Sequence, residues 1–119
     1  MKAIDIYEKA LKLLGYIFED GTYDDSLNLK ALSIVNAVYA DLYFINKSDG
    51  YMPLKSLNDI PTLNERIITD IMPYGVAMHL ALSVGDGLNN QIFTTIYNSK
   101  RCSISTIDTK ADVIPSVDA

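Results

Sequence analysis

The stretch Thr62–Gly85, TLNERIITDIMPYGVAMHLALSVG, decides how the rest of the chain must fold. It opens on helix-start chemistry: Pro61, then Thr62 with Glu65 at capping-box spacing, where side chains satisfy two otherwise unpaired amides. Between Asp70 and Asp86 lie fifteen residues without a formal charge, and only His79 and Tyr74 among them titrate. As a helix, Ile71, Met72, Val76, Met78, Leu80, Leu82 and Val84 surround the axis on all sides, so the helix must be enclosed. A bilayer would enclose it too, but spanning takes roughly 18–20 apolar residues. Pro73, Gly75 and His79 interrupt this shorter run. The segment reads as a central core helix kinked near Pro73, whose ring clashes with the carbonyl of Thr69 and removes one ladder hydrogen bond.

Beyond this helix, Gly85-Asp86-Gly87 is a tight turn, and Asp86 is placed to cap a last helix from Leu88 to about Ser103. Ile92 and Ile96 form its stripe, with Phe93 and Tyr97 beside it; Lys100 and Arg101 complement the dipole in the last turn. From Ser105 the periodicity decays into β-branched residues, Pro115 and alternating acids. Residues 105–119 are therefore expected to form an extended C-terminal tail that is either frayed or an arm that orders on a partner, with Val113, Ile114, Pro115 and Val117 as its anchors.

Ahead of the core helix, residues 47–61 make a connection longer than most helix-to-helix links. Pro53 and Pro61 keep it out of helix, while Tyr51, Met52, Leu54 and Leu57 give it apolar surface to bury. An ordered arm lying over its own core, or over a neighbour's, fits that pattern. The helix before it runs from about Ser26 to Asn46, with Asp24 and Asp25 at its start and Lys47-Ser48-Asp49-Gly50 as its stop. Capping, rather than calcium binding, explains the acids near residue 24, because the spacing lacks the alternating ligands and closing glutamate of a calcium loop. Leu27, Ala31, Ile34, Val38, Leu42 and Ile45 line one stripe and Leu32, Val35 and Tyr39 a second. That arc is wider than one neighbouring helix needs, so it meets either two partners in the same bundle or another subunit. A first helix spans Ala3–Leu14, with Ile4, Tyr7, Leu11 and Leu14 at helical spacing and Gly15 as its stop. Tyr16, Ile17 and Phe18 are too apolar for a free loop and are expected to fold back onto the core before a turn at Glu19-Asp20-Gly21. The fold class is thus all-α: a small bundle of about four helices with a long ordered loop and an extended C-terminal tail. Residues 1–104 form the bundle and 105–119 the arm.

The totals limit the function classes. A chain of 119 residues with 49% hydrophobic and 21% charged content can bury an independent core. A net charge of -5 argues against a reader of duplex DNA, which needs a basic face, but does not exclude a wall that DNA slides past without being held. The single cysteine, Cys102, cannot make an internal disulfide. Asp5 and Glu8 sit where a signal peptide needs an unbroken apolar core, so synthesis and retention in a cytoplasm are expected. One His and one Cys cannot supply a zinc site, and His79 reads as a hydrogen-bonded structural histidine. No phosphate-binding glycine loop or nucleophile motif occurs, so no catalytic residue, cofactor or metal is expected.

Four segments carry a resemblance: ALSIVNAVYADLYFI (31–45), PLKSLNDIPTLNERI (53–67), MPYGVAMHLALSVGDGLNNQIFTTIYNSKR (72–101) and DVIP (112–115). Within them the series Pro73–Met78, Asp86-Gly87, Tyr97-Asn98 and Lys100-Arg101 is the most specific. In that order, and over nearly the whole chain, they resemble a small family of head–tail connector (adaptor, or neck) proteins from tailed phages and prophages of Gram-positive bacteria. The resemblance implies a non-enzymatic virion structural protein, located in the head–tail neck and made in the host bacterial cytoplasm. It implies a homo-oligomeric ring of about a dozen copies beneath the portal protein, closed by two different lateral faces. The wide arc of the second helix and the arm residues Tyr51, Met52, Leu54 and Leu57 are the candidate faces. Residues 105–119 would dock on the portal or a neighbouring copy. A tail or stopper protein would lie on the other side, with double-stranded DNA passing through unbound and no membrane involved. A tail-completion or stopper role in the same neck is the nearest alternative. A small helical DNA-binding regulator is the alternative from a different class, and the acidic balance weighs against it.

Overall fold

The central helix is broken, and the break sets the packing of everything else. The structure, a computed structural model, describes residues 1–46 and 50–104. The expected arm at 105–119, with Val113, Ile114, Pro115 and Val117, and the expected helix stop at 47–49 lie outside the described residues. Among the described residues every regular element is helical: α1 (Ala3–Leu14), a 3-10 turn (Asp25–Lys30), α2 (Ala31–Asn46), α3 (Glu65–Asp70), α4 (Met72–Ser83) and α5 (Gly87–Arg101).

The expected core helix from Thr62 to Gly85 is α3 plus α4, separated at Ile71. The capping box at Thr62 and Glu65 does not form. Asn64 is the N-cap instead, its side-chain oxygen accepting from the Arg66 amide at 2.9 Å. Thr62 is occupied elsewhere: its hydroxyl lies 2.8 Å from the Tyr39 hydroxyl, and its amide donates to the same oxygen at 3.2 Å. Pro73 then falls in the first turn of α4, where a missing amide costs little. A proline expected to kink one helix thus begins another.

The second correction lies at the start of α2. The chain from Asp25 to Lys30 is 3-10 and not α-helical, although Asp24 caps it as expected, accepting from the Ser26 amide at 3.0 Å. The Tyr7 hydroxyl of α1 donates to the Leu27 carbonyl, which an α-helix would commit to Ala31. The Ala31 amide turns back to Asn28 instead. A contact between elements overrides the local choice.

Three tertiary links orient the helices. Tyr16, just past α1, donates to Asp86 at the α4–α5 turn, 2.6 Å away. The Lys9 ammonium donates to the Thr69 carbonyl at the end of α3, 2.8 Å away. Tyr97 of α5 donates to Asp41 of α2 at 2.7 Å. So α1 and α4 run one way, and α2 and α5 run the other. One end of the bundle holds the end of α1, the 3-10 turn and the α4–α5 turn. The opposite end holds the start of α1, the end of α2, the 50–64 segment and the end of α5.

Helix α4 is the hub, packing on α1, α2, α3 and α5. Met72, Pro73, Gly75, Val76, Ala77, Leu80 and Ala81 are buried on several sides of it, as an all-round apolar helix requires. The enclosure fails at its last turn, where Leu82 and Val84 are exposed. Gly75 marks a close approach: a Cβ there would lie 2.6 Å from the Tyr97 ring and 2.9 Å from Val38. Helices α2 and α5 both reach the α4 backbone at this point.

The wide arc of α2 is covered by its own chain. Ala31, Ile34, Val35, Val38, Tyr39 and Leu42 are buried, along with Tyr43. On α5 the buried stripe is Phe93 and Tyr97; Ile92, expected to lead it, is exposed. Asp86 caps α5 as expected, accepting from the Asn89 amide at 3.2 Å, and Gly15 ends α1 in the left-handed region at φ 75°. Behind Gly15, Tyr16 and Ile17 pack on the core as expected, but Phe18 stays exposed. No helix among the described residues is long and apolar enough to cross a membrane.

Candidate interaction surfaces

The 50–64 segment is ordered by polar ties to α1 and α2 and by ties within itself. The Asn36 side chain clasps Leu54 from both sides, donating to its carbonyl at 2.9 Å and accepting from its amide at 2.8 Å. The Ala3 and Ile4 amides, which a helix start leaves free, donate to the Asp59 and Leu57 carbonyls at 2.9 and 2.8 Å. The Asp59 carboxylate accepts from the Lys55 and Ser56 amides and folds the segment on itself. This is an arm lying over its own core, one of the two placements the sequence allowed.

Its four expected contact residues divide. Leu54 is buried; Tyr51 and Leu57 are half-buried against the core. Tyr51 stacks in an aromatic cluster with Tyr39, Tyr43 and Phe44, ring centroids 5.2–5.5 Å from its own. Met52 alone projects outward, 67% exposed. Beside it Ile60 is also exposed, and between the two a groove of about 490 Å³ opens over Tyr39 and Leu54, with Lys55 and Asp59 at its edge. The reading from sequence missed Ile60. Its neighbour Pro61 is buried.

The opposite end of the bundle carries a different apolar surface, which sequence reasoning did not pick out. Leu29 on the 3-10 turn is 86% exposed and Leu88 at the start of α5 is 72% exposed. Phe18, Leu82 and Val84 are exposed beside them. A shallow groove of about 140 Å³ joins the 3-10 turn to the end of α4, lined by Leu27, Leu29, Leu80 and Val84. Glu19, Asp20, Asp24, Asp25 and Asp86 rim this end, with Lys12 and Lys30 as its cations. The Asp86 carboxylate, fed by the Tyr16 hydroxyl and the Asn89 side chain, is held below its usual range. That same carboxylate and burial push the Tyr16 hydroxyl up to about 12, burial being the larger cause.

One titratable cluster joins three helices. The Arg101 guanidinium forks onto Asp41, Nε to one oxygen at 2.8 Å and a terminal nitrogen to the other at 2.9 Å. Arg101 and then burial act in opposite directions on Asp41, and the net effect holds its carboxyl below the usual range. Burial and the Asp41 charge push the Tyr97 hydroxyl well up. His79, expected to be hydrogen-bonded, makes no hydrogen bond with another described residue; burial lowers its pKa and the Asp41 charge opposes that. Lys100 pairs with Asp70 at 3.1 Å and lies 4.6 Å over the Tyr74 ring. The basic pair at the end of α5 is therefore engaged within the chain rather than presented to phosphates. Among the described residues no group of three His, Cys, Asp or Glu side chains is placed to hold a metal, and Cys102 is exposed. No family model, curated protein or solved structure matches the chain.

Proposed function

We propose that this chain is a virion structural protein, a head–tail connector (adaptor) that forms a ring beneath the portal and joins capsid to tail. One observation carries the reading: an antiparallel helical unit whose two ends bear dissimilar exposed apolar surfaces. A ring of identical copies needs two different faces, because each contact joins one face to the other. The acidic surplus supports the second half of the reading, a channel wall that repels the phosphates of passing double-stranded DNA. Residues 105–119, with Val113, Ile114, Pro115 and Val117, are assigned to docking on the portal or a neighbouring copy. The protein is made in the host bacterial cytoplasm and ends in the neck of the virion, against a tail or stopper protein.

The test is capture by the portal protein of the same particle, followed by electron microscopy of the complex. A ring seated on the portal is the expected result. Removal of residues 105–119 should leave the helical circular-dichroism spectrum intact and abolish capture. A full-length chain that ignores the portal overturns the reading, and capture by the tail tube instead moves it to tail completion.

A further inference from the structure

Helix α5 has two faces, and the bundle uses one of them. Phe93, Tyr97 and, past the helix end, Ile104 are buried against the rest of the chain. On the outer side Leu88, Ile92, Thr95, Ser99 and Cys102 are all exposed. Their spacing is four, three, four and three residues, which lines them up along one narrow stripe of a helix. Cys102 lies just beyond Arg101, but its φ of -65° and ψ of -17° carry the helical turn through it. The stripe is about 21 Å long.

Three further properties mark it as a contact face. Residues 87–99 contain no charged side chain, in a chain where 21% of residues are charged. Thr95 spends its hydroxyl on the Gln91 carbonyl at 3.2 Å, which leaves its methyl to offer a neighbour. Large and small residues are segregated: Leu88, 72% exposed, and Ile92, 45% exposed, stand at the start, while Thr95, Ser99 and Cys102 make a low end. A face that meets only water has no need of this order.

Alternation of four and three residues is the repeat by which one helix follows another in a left-handed supercoil, and Leu followed by Ile suits a two-helix seam. A lipid surface would call for free cations beside the stripe. Lys100 and Arg101, the cations of α5, are engaged by Asp70 and Asp41. A second copy of α5 fits poorly. Antiparallel, it sets Thr95 on Thr95 at the middle; parallel, it sets Ser99 on Ser99 and Cys102 on Cys102 as well. Either leaves a layer without a large side chain, where close packing asks for one.

We propose that the outer stripe of α5 is the docking site for an α-helix of a partner protein. That helix has an uncharged seam, and its large aliphatic side chains fill the low end over Thr95, Ser99 and Cys102. The two helices cross at the shallow angle of about 20° that this spacing gives. The inference goes beyond the connector reading and does not rest on it.

A synthetic helix stands in for the partner: a fluorophore-labelled peptide of about three heptads, with Leu at the seam positions and balanced Glu and Lys elsewhere. Its anisotropy is followed as the full chain is added, beside a control peptide with Ser at the seam. The Leu peptide should bind saturably and the Ser peptide should not. Leu88→Lys with Ile92→Lys should weaken binding more than about tenfold, and so should Ser99→Lys at the far part of the stripe. All three positions are exposed, so the circular-dichroism spectrum and melting behaviour should be unchanged. Leu29→Lys replaces a still more exposed leucine on the 3-10 turn and should leave binding as in the unaltered chain. Absence of saturable binding overturns the proposal, as does binding that survives Ser99→Lys or falls equally with Leu29→Lys. Association of the chain with itself, abolished by Leu88→Lys with Ile92→Lys, would make the occupant a second copy and overturn it too.

Discussion

Helix α5 is tied at both ends by a tyrosine hydroxyl on an aspartate, and the two ties have different surroundings. Near its end, Tyr97 donates to Asp41 at 2.7 Å, with Arg101 forked onto the same carboxylate. At its start, Asp86 receives Tyr16 at 2.6 Å and Asn89 at 2.7 Å, and among the described residues no cation pairs with it. The first pair sits over a close helix crossing, beside Gly75 and Val38; the second stands at the end that carries the exposed leucines. The same chemistry therefore serves two ends. Where the carboxylate is matched by a guanidinium the bundle is finished, and where it is left unmatched the surface remains open to a cation from outside.

Four substitutions probe that difference, taken from the largest effect down. Tyr97→Ala empties the crossing and should destabilise the chain by about 3–5 kcal/mol, read as a fall in urea midpoint at unchanged slope. Gly75→Ala sets overpacking of about 1–3 kcal/mol against a helix-propensity gain of about 1 kcal/mol. Because the facing Tyr97 ring is held by Asp41, a net loss of about 1–2 kcal/mol is expected; a gain would mean that the crossing is loose. Asp41→Asn should cost about 1 kcal/mol near neutral pH, held down by the partial exposure of both partners. Its pH dependence is signed. The folded carboxyl titrates below its unfolded value, so its contribution is present above pH about 4 and is lost as pH falls through the folded pKa. The variant should lack that part of the acid-side decline in melting temperature. Tyr16→Phe comes last, with a urea midpoint within error of the unaltered chain. A shift as large as that of Asp41→Asn would show that the two ends carry load alike.

His79 adds a second pH window. Burial depresses its folded pKa below the unfolded value near 6.5, so protonation favours the unfolded chain. Stability should be full above that value and fall as pH drops through the folded pKa, and His79→Gln should flatten this decline in thermal melts at fixed salt.

Much of the fold could be read from the sequence where local chemistry and tertiary packing agree. Gly15 ends a helix in the left-handed backbone conformation glycine adopts freely, Asp86 begins one with its carboxylate, and the long 50–64 segment lies where Tyr51, Leu54 and Leu57 have a core to cover. The misreadings came where a distant group took a local partner away. Tyr39 took Thr62 from its capping box, and Tyr7 took the Leu27 carbonyl from an α-helical turn. Neither theft has a signature within ten residues of the site. Ile92 and Phe93 both fit a helical period, and it is Phe93 that faces α4, where its ring lies 6.1 Å from that of Tyr74. The exposed end was the least legible part, because Leu29, Leu82 and Leu88 look like core residues until the helices that should cover them stop short.

Gly75 constrains how this sequence can drift. With Tyr97 and Val38 on opposite approaches to the same backbone, the three positions form one unit of substitution. A descendant that gains a methyl at residue 75 must lose volume at 38 or 97 in the same step, or carry the cost until it does. Change is expected to arrive there in pairs, while the exposed Leu29, Leu82 and Leu88 can be replaced singly.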